Sequence, residues 1–232
     1  MIFDLKNTTI FLIDGFTKTA AVNLMAGYSS GATTMTIDGI TGVVPTGATF
    51  LVGTDTVTHK VTAHSETSGN TTSITFTPGL GASVLDNDVI TFTGQQLQIK
   101  IGDGQLSYDE KRTLEYKKDR GILDTVRLGD QEPMDVKLDL QWNFLRSTSG
   151  DPPTPEEALK NIGAASTWVT SSADPCEPYS VDILIIHAPP CGTSEHILLK
   201  SFRWETINHD TKQGMLSTSG KCNVQTATVT RV

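Results

Sequence analysis

The sequence is poor in the residues on which most protein chemistry depends. It holds three cysteines and five histidines in 232 residues. Cys176 and Cys191 have fourteen residues between them, and His187 precedes Cys191 with three residues between, spacings that match no compact zinc module. An odd cysteine count in a chain this long argues for reduced, partly buried thiols and against a disulfide framework. No run of about eighteen apolar residues is present, which excludes a helical membrane span. The opening, MIFDLKNTTIFLIDGF, lacks a basic segment followed by an uninterrupted apolar core and a small-residue cleavage site, so the chain is expected to stay where it is made. G-x-S-x-G, H-E-x-x-H and phosphate-cradling loops are all missing, and no acid, base and nucleophile converge in sequence. The expectation is therefore no enzyme, no cofactor and no metal. Lysine and arginine total 18 against 26 acids, a net charge of −8, which disfavours a surface that grips phosphates. A surface past which DNA slides is compatible with that balance.

What the chain does have is charge concentrated in one place. Residues 95–149 carry nine Lys or Arg and ten Asp or Glu, whereas residues 30–94 carry one Lys and five acids. The charged region runs between two expected strands. In the first, Leu97, Ile99 and Ile101 alternate with Gln96, Gln98 and Lys100, and Gly102-Asp103-Gly104 ends it as a turn. In the second, Val136, Leu138, Leu140, Trp142 and Phe144 share one face, and Asp135, Lys137, Asp139, Gln141 and Asn143 share the other. A connection this long is either a disordered loop or a functional arm, because structureless loops of such length are uncommon in compact domains. Tyr108, Leu114, Tyr116, Ile122, Leu123, Val126 and Leu128 interleave the charges, which favours an arm that orders against a neighbour.

Residues 6–14 read as a strand closed by Asp14-Gly15. Residues 17–28 fit a short strand or one helical turn. From Ser29 to Gly94 the composition shifts, with 17 threonines in residues 30–94. The runs TTMTIDG, ATFLVG, VTHKVTA, TTSITFTP and DVITFTG have the spacing and turn residues of a small all-β sandwich, so residues 29–94 are expected to be a β-module nested in a core made of 1–28 and 95–232. Asp86-Asn87-Asp88 resembles the start of a calcium loop but lacks the glycine and distant glutamate, so a turn is expected.

After the loop STSGDPPTP, Thr154 is a plausible N-cap, Pro155 the first helical residue and Glu157 the partner in a capping box; Gly163 is expected to end a helix of about two turns. Strands are expected at 179–187, 195–207 and 214–230, with NHDTKQ and Gly214 as a hairpin connection. Ile183 to Ile186 is apolar on both faces, which predicts a central strand. Trp142, Trp168 and Trp204 are expected as core or interface anchors.

Three segments, YDEKRTLEYKKDRGILDTVRLGDQEPMDVKLDLQW (108–142), PEEALKNIGAASTWVTSSADPCEPYSVDILI (155–185) and FRWETINHDTKQGMLSTSGKCN (202–223), together resemble tail tube proteins of long non-contractile-tailed (siphovirus) bacteriophages. GATTMTIDGITGVVPTGATFLVG (31–53) and ITFTPGLGASVLDNDVITF (74–92) are similar to small β-modules of phage virion proteins. The resemblance implies a mainly β fold, a tail-tube sandwich or barrel with one short flanking helix plus the inserted β-sandwich. It implies six-membered rings that stack into a tube, with strands from all subunits closing a barrel around the lumen and the charged loop reaching the adjacent ring. The implied location is the virion tail, assembled in the host cytoplasm. The implied partners are further copies of the chain, the tape measure, initiator and terminator proteins of the tail, and double-stranded DNA that passes without specific binding; no membrane is involved. The minimal tube subunit lacks residues 29–94, which suggests decoration of the outer surface.

On this reading Tyr108, Lys111, Arg112, Lys117, Lys118, Asp119, Arg120, Asp124 and Arg127 belong to the ring-stacking arm. Gln96, Gln98, Asp135, Asp139, Gln141 and Asn143 are candidates for the lumen, with Lys100 and Lys137 counting against a purely acidic lining. The alternative is that this face lies against another subunit. Competing functions are a tail terminator or head decoration protein, and a surface adhesion or carbohydrate-binding protein in which the Thr-rich module is the working part.

Overall fold

The computed structural model describes residues 7–40, 44–65, 70–101, 104–141, 153–172, 174 and 176–231. Its strands in chain order are β1 (Thr8–Ile13), β2 (Thr19–Val22), β3 (Thr34–Asp38), β4 (Thr49–Val52), β5 (His59–His64), β6 (Thr71–Thr77), β7 (Val89–Gly94), β8 (Gln96–Ile99), β9 (Leu106–Asp109), β10 (Leu114–Asp119), β11 (Ile122–Leu128), β12 (Met134–Gln141), β13 (Val181–His187), β14 (Glu195–Asp210), β15 (Met215–Cys222) and β16 (Thr228–Arg231). One α-helix, α1 (Pro155–Lys160), is present among the described residues. The protein is mainly β, and it divides into two compact units: 1–12 with 97–164 and 171–232, and 13–96 with 165–170.

The smaller unit is a closed barrel in the order β2-β3-β6-β5-β4-β7. A small β-sandwich was expected over 29–94; the strands instead close into a barrel, in a unit that also takes in residues 13–28 and 165–170. Residues 19–22, ambiguous in sequence, form β2, which pairs antiparallel with both β3 and β7 and so removes the two edges an open sheet would expose. Alternation sorts the threonines. In β6, Thr72, Ile74 and Phe76 are buried while Ser73 and Thr77 are exposed. Phe50 lies 5.3 Å from both Phe76 and Phe92, and Phe16 meets Phe92 edge-on at 5.2 Å, so rings from four segments fill the barrel.

Two buried carboxylates tie the barrel's loops. Asp55 accepts from the backbone N–H of Val57 (2.9 Å), Gly81 (2.7 Å) and Ala82 (3.3 Å), with His59 Nε2 at 3.3 Å. Burial pushes its carboxyl up, but these three donors and His59 outweigh it and hold it below the ordinary 3.8. Asp14 accepts from Gln95 N (2.8 Å), Phe16 N (3.2 Å) and Val169 N (3.3 Å). Gly94 is at φ +80°, and a Cβ there would sit 2.5 Å from Asp14 Oδ1, so only glycine fits beside the carboxylate.

For Asp14, burial outweighs its donors and raises the carboxyl from 3.8 to about 6. The sign follows directly: between those values the folded chain binds a proton that the unfolded chain does not, so stability falls as pH rises through this window. The expected loss in the barrel unit is about 2–3 kcal/mol from pH 4 to pH 6.5. Urea denaturation at several pH values checks this, and Asp14→Asn is expected to flatten the profile. A stability that rises over the same interval contradicts it.

The larger unit is built on a sheet in the order β8-β1-β13-β14-β15-β12-β9, with β16 also paired to β14. The apolar run of β13 is buried at alternate positions between β1 and β14, the central place its composition predicts. The helix starts as expected, with Thr154 accepting from Glu157 N and Glu157 reaching back to Thr154 N. Its end differs: Asn161 in the left-handed conformation caps it, two residues before Gly163, because asparagine also tolerates that region. Residues 214–230 form two strands, β15 and β16, separated by a turn. Trp168 is buried, Trp204 is exposed, and Trp142 lies outside the described residues together with Phe144.

Candidate assembly interface

The charged connection is neither a loop nor disordered. β10 and β11 form an antiparallel hairpin that pairs with no other strand among the described residues. Its register places Leu114 opposite Leu128 and Tyr116 opposite Val126 on one face, with Glu115 opposite Arg127 and Lys117 opposite Thr125 on the other. The register shifts between Lys117 and Lys118, so Lys118 faces Leu123. The extra residue at 124 thereby keeps Leu123 on the apolar face, where strict alternation would have turned it away. Leu114, Tyr116, Val126, Leu128 and Leu123 are all exposed, from 39% to 65%. An isolated two-stranded ribbon with a bare apolar face is at best marginal in water, which marks it as a surface awaiting a partner.

The root of the hairpin is held firmly. Gly129 N donates to Thr113 O (2.9 Å), and Thr113 Oγ1 donates to Glu132 Oε1 (2.9 Å). Gln225 Nε2 donates to Lys111 O (3.0 Å), and Ala227 N to Glu110 Oε1 (2.7 Å). Lys111 donates to Asp135, and this hydrogen bond lowers the Asp135 carboxyl and raises the Lys111 ammonium relative to their ordinary values. Two residues assigned to different sites are thus brought together: Lys111, expected in the arm, and Asp135, expected in the lumen.

Arm residues Lys117, Lys118, Asp119, Arg120 and Arg127 all sit exposed on the hairpin, and Arg112 is exposed at its root. Tyr108 is not in the arm. It lies on β9, half-buried, its hydroxyl raised by burial and by Glu110 and Glu195. The side chain of Asp124 lies outside the described residues.

The lumen candidates come from two strands. Asp135, Asp139 and Gln141 share the outward face of β12, whose inward Met134, Val136, Leu138 and Leu140 are buried. Gln96 and Gln98 are exposed on β8, with four strands between β8 and β12 along the sheet order, while Gln141 N donates to Lys100 O (2.8 Å) and so ties the chain just past β8 to the end of β12. Asn143 lies outside the described residues. The strands that continue the outward face of β12 were missed. Ser219 lies opposite Lys137 and Ser217 opposite Asp139 on β15, and Thr206 and Asn208 follow on β14. Thr206 Oγ1 and Ser219 Oγ are 2.6 Å apart. The alternation of GMLSTSGKC, with Leu216, Thr218, Gly220 and Cys222 inward, was a signal that could have found Ser217 and Ser219.

A second feature of the sheet has no sequence signal. An apolar pocket of about 400 Å3 is lined by Thr8 and Ile10 of β1, Ile185 of β13, Glu195 and Ile197 of β14, Leu106 and Tyr108 of β9, and Ile101, Gly104 and Gln105. Among the described residues β9 stands at one edge of the sheet, paired with β12.

No family model matches the chain, and no curated protein or solved structure matches it. Among the described residues there is no group of three or more His, Cys, Asp or Glu placed to hold a metal, and no helix long and apolar enough to cross a membrane. The three cysteines are free; Cys222 is buried, while Cys176 and Cys191 are exposed. Asp86 Oδ1 and Asp88 Oδ2 accept from Leu24 N and Leu85 N, so these carboxylates fasten a turn.

Proposed function

We propose that the chain is a structural virion subunit that assembles with copies of itself into rings, six-membered by its family resemblance, which stack into the tail tube of a long-tailed bacteriophage. The observation that carries this reading is the hairpin, hydrogen-bonded at its root, with an exposed apolar face. Such a face is a liability in a free monomer and an asset in a polymer. The edge that β9 presents among the described residues supports the same reading, since lateral pairing between subunits would cover it. The balanced face of β12, β15 and β14, in which Asp135 and Asp139 are offset by Lys137 and Lys221 among serines and threonines, is the part best suited to face DNA without holding it. On this proposal the subunit's partners are its own copies, the tape measure, initiator and terminator proteins of the tail, and transiting DNA.

The test is negative-stain electron microscopy of the concentrated protein beside a chain in which residues 114–128 are replaced by a two-residue turn. The Thr113–Gly129 hydrogen bond already holds those ends together, so the shortened chain is expected to fold. Hollow tubes from the full chain and none from the shortened one are expected. Single rings that never stack overturn the tube role in favour of a terminator, and a full chain that stays monomeric overturns unaided assembly.

A further inference from the structure

We propose that the apolar pocket bounded by β1, β13, β14 and β9 is the socket for the hairpin tip of a second copy, with Ile122 and Leu123 entering it and Arg120 closing on the carboxylates at its mouth. The inference rests on the stacking reading above and names the surface that the arm engages.

The pocket is built for aliphatic side chains. Ile10, Ile185 and Ile197 come from three adjacent strands and are nearly buried, and Leu106 and Ile101 complete the apolar lining. A cavity of about 150 Å3 already accepts one benzene-sized group, so 400 Å3 has room for two branched side chains. The hairpin presents two at its turn: Ile122 is 74% and Leu123 is 62% exposed.

Charge points to the same occupant. Residues 114–128 contain four Lys or Arg and three acids, a net +1, so the rest of the chain carries −9. Glu195 lines the pocket, and Glu110 with Glu195 acts on the Tyr108 hydroxyl at the same place. Arg231 is the cation nearest Glu195, at 3.6 Å. At the hairpin end, Lys117, Lys118 and Arg120 form no ion pair among the described residues. A basic tip with two aliphatic side chains therefore complements an apolar pocket with an acidic mouth.

The contact has to come from another molecule. Eight residues of extended ribbon carry the tip about 27 Å from its root at Thr113, and no hairpin residue lines the chain's own pocket. Arm and socket are different surfaces of one subunit, so the contact is heterologous and adds copies indefinitely unless its rotation closes a ring.

Disulfide trapping between two variants tests this, in a chain carrying Cys176→Ser and Cys191→Ser. Cys222 stays silent, being buried with its thiol pushed up to about 12, chiefly by that burial. One variant adds Leu123→Cys, the other Leu106→Cys, and they are mixed with oxidised glutathione at concentrations that give tubes. A cross-linked heterodimer absent from either variant alone is expected. In parallel, Glu195→Arg is expected to raise the critical concentration for assembly about tenfold, with Arg120→Glu on the same chain restoring it. Tubes without the cross-link, and without the charge effect, overturn the socket and leave the tube reading standing. A cross-link in a protein that never polymerises supports the socket and overturns the tube reading. Neither cross-link nor tubes overturns both.

Discussion

Replacing Leu114, Tyr116, Val126 and Leu128 together by threonine is expected to abolish assembly while leaving the subunit folded. All four side chains are exposed in the isolated chain, so their loss is expected to change unfolding free energy by no more than about 0.5 kcal/mol. Threonine keeps the β preference of the ribbon, and the bonds at its root involve none of the four. In the proposed assembly the same side chains would be buried, each contributing on the order of 1 kcal/mol after the ordering of the ribbon is offset. Four of them amount to about a thousandfold in association. Sedimentation velocity beside thermal melting separates the two effects. Unchanged polymerisation in a folded variant would sink the hairpin face as the assembly surface. The opposite face makes a useful contrast: Lys117→Gln with Arg127→Gln is expected to alter the salt dependence of assembly more than its end point.

Gly220→Ala is expected to have the largest effect on stability in the sheet unit, about 3–5 kcal/mol, because no side chain can yield to the new methyl group. Gly220 lies on the inward face of β15, opposite Val136 on β12 and Trp204 on β14. The register of β14 shifts between Trp204 and Thr206, and this irregularity brings the backbone onto the glycine. A Cβ at Gly220 would lie 1.9 Å from Arg203 O and 2.8 Å from the Arg203 carbonyl carbon. Both strands flanking β15 are paired on their far sides as well, so relief requires the centre of the sheet to shift. Chemical denaturation measures this. A loss under 1 kcal/mol would mean that the β14 irregularity relaxes freely. Gly220→Val is expected to prevent folding of this unit, whereas Gly121→Ala at the open hairpin turn meets no atom within 4 Å and costs only its φ of +86°.

Much of the local structure was legible because it depends on local chemistry. Alternation located β12, an apolar run located β13, threonine-rich runs between turn residues located the barrel strands β3 to β7, and a capping box with proline at the first position located α1 to the residue at its start. Charge composition marked the arm. The mistakes share a cause. Residues 17–28 were ambiguous because four residues are too few to show a period, and β2 is a strand only because β3 and β7 flank it. The barrel was read as a sandwich because closure depends on which strands become neighbours, and that is a non-local choice. Asn161 was overlooked as the cap in favour of a glycine two residues on.

The candidate surfaces divide in the same way. Asp135, Asp139 and Gln141 share a face because the side-chain period of a strand is two, which needs no tertiary information. Gln96 and Gln98 have the same local pattern, yet sheet order puts four strands between β8 and β12 and sets Ser217, Ser219, Thr206 and Asn208 directly beside that face. By itself the sequence determined a β-rich chain, a two-turn helix, a polar strand face and a charged, apolar-flecked arm, all consequences of short-range periodicity and composition. Only the tertiary structure decided that the arm is a hairpin with its apolar side chains gathered on one face, that a bulge keeps Leu123 among them, and that Ile10, Leu106, Ile185 and Ile197 meet around a pocket. Those outcomes follow from strand register and sheet order, which are set by pairings between segments up to about 190 residues apart and leave no mark in any short window of sequence.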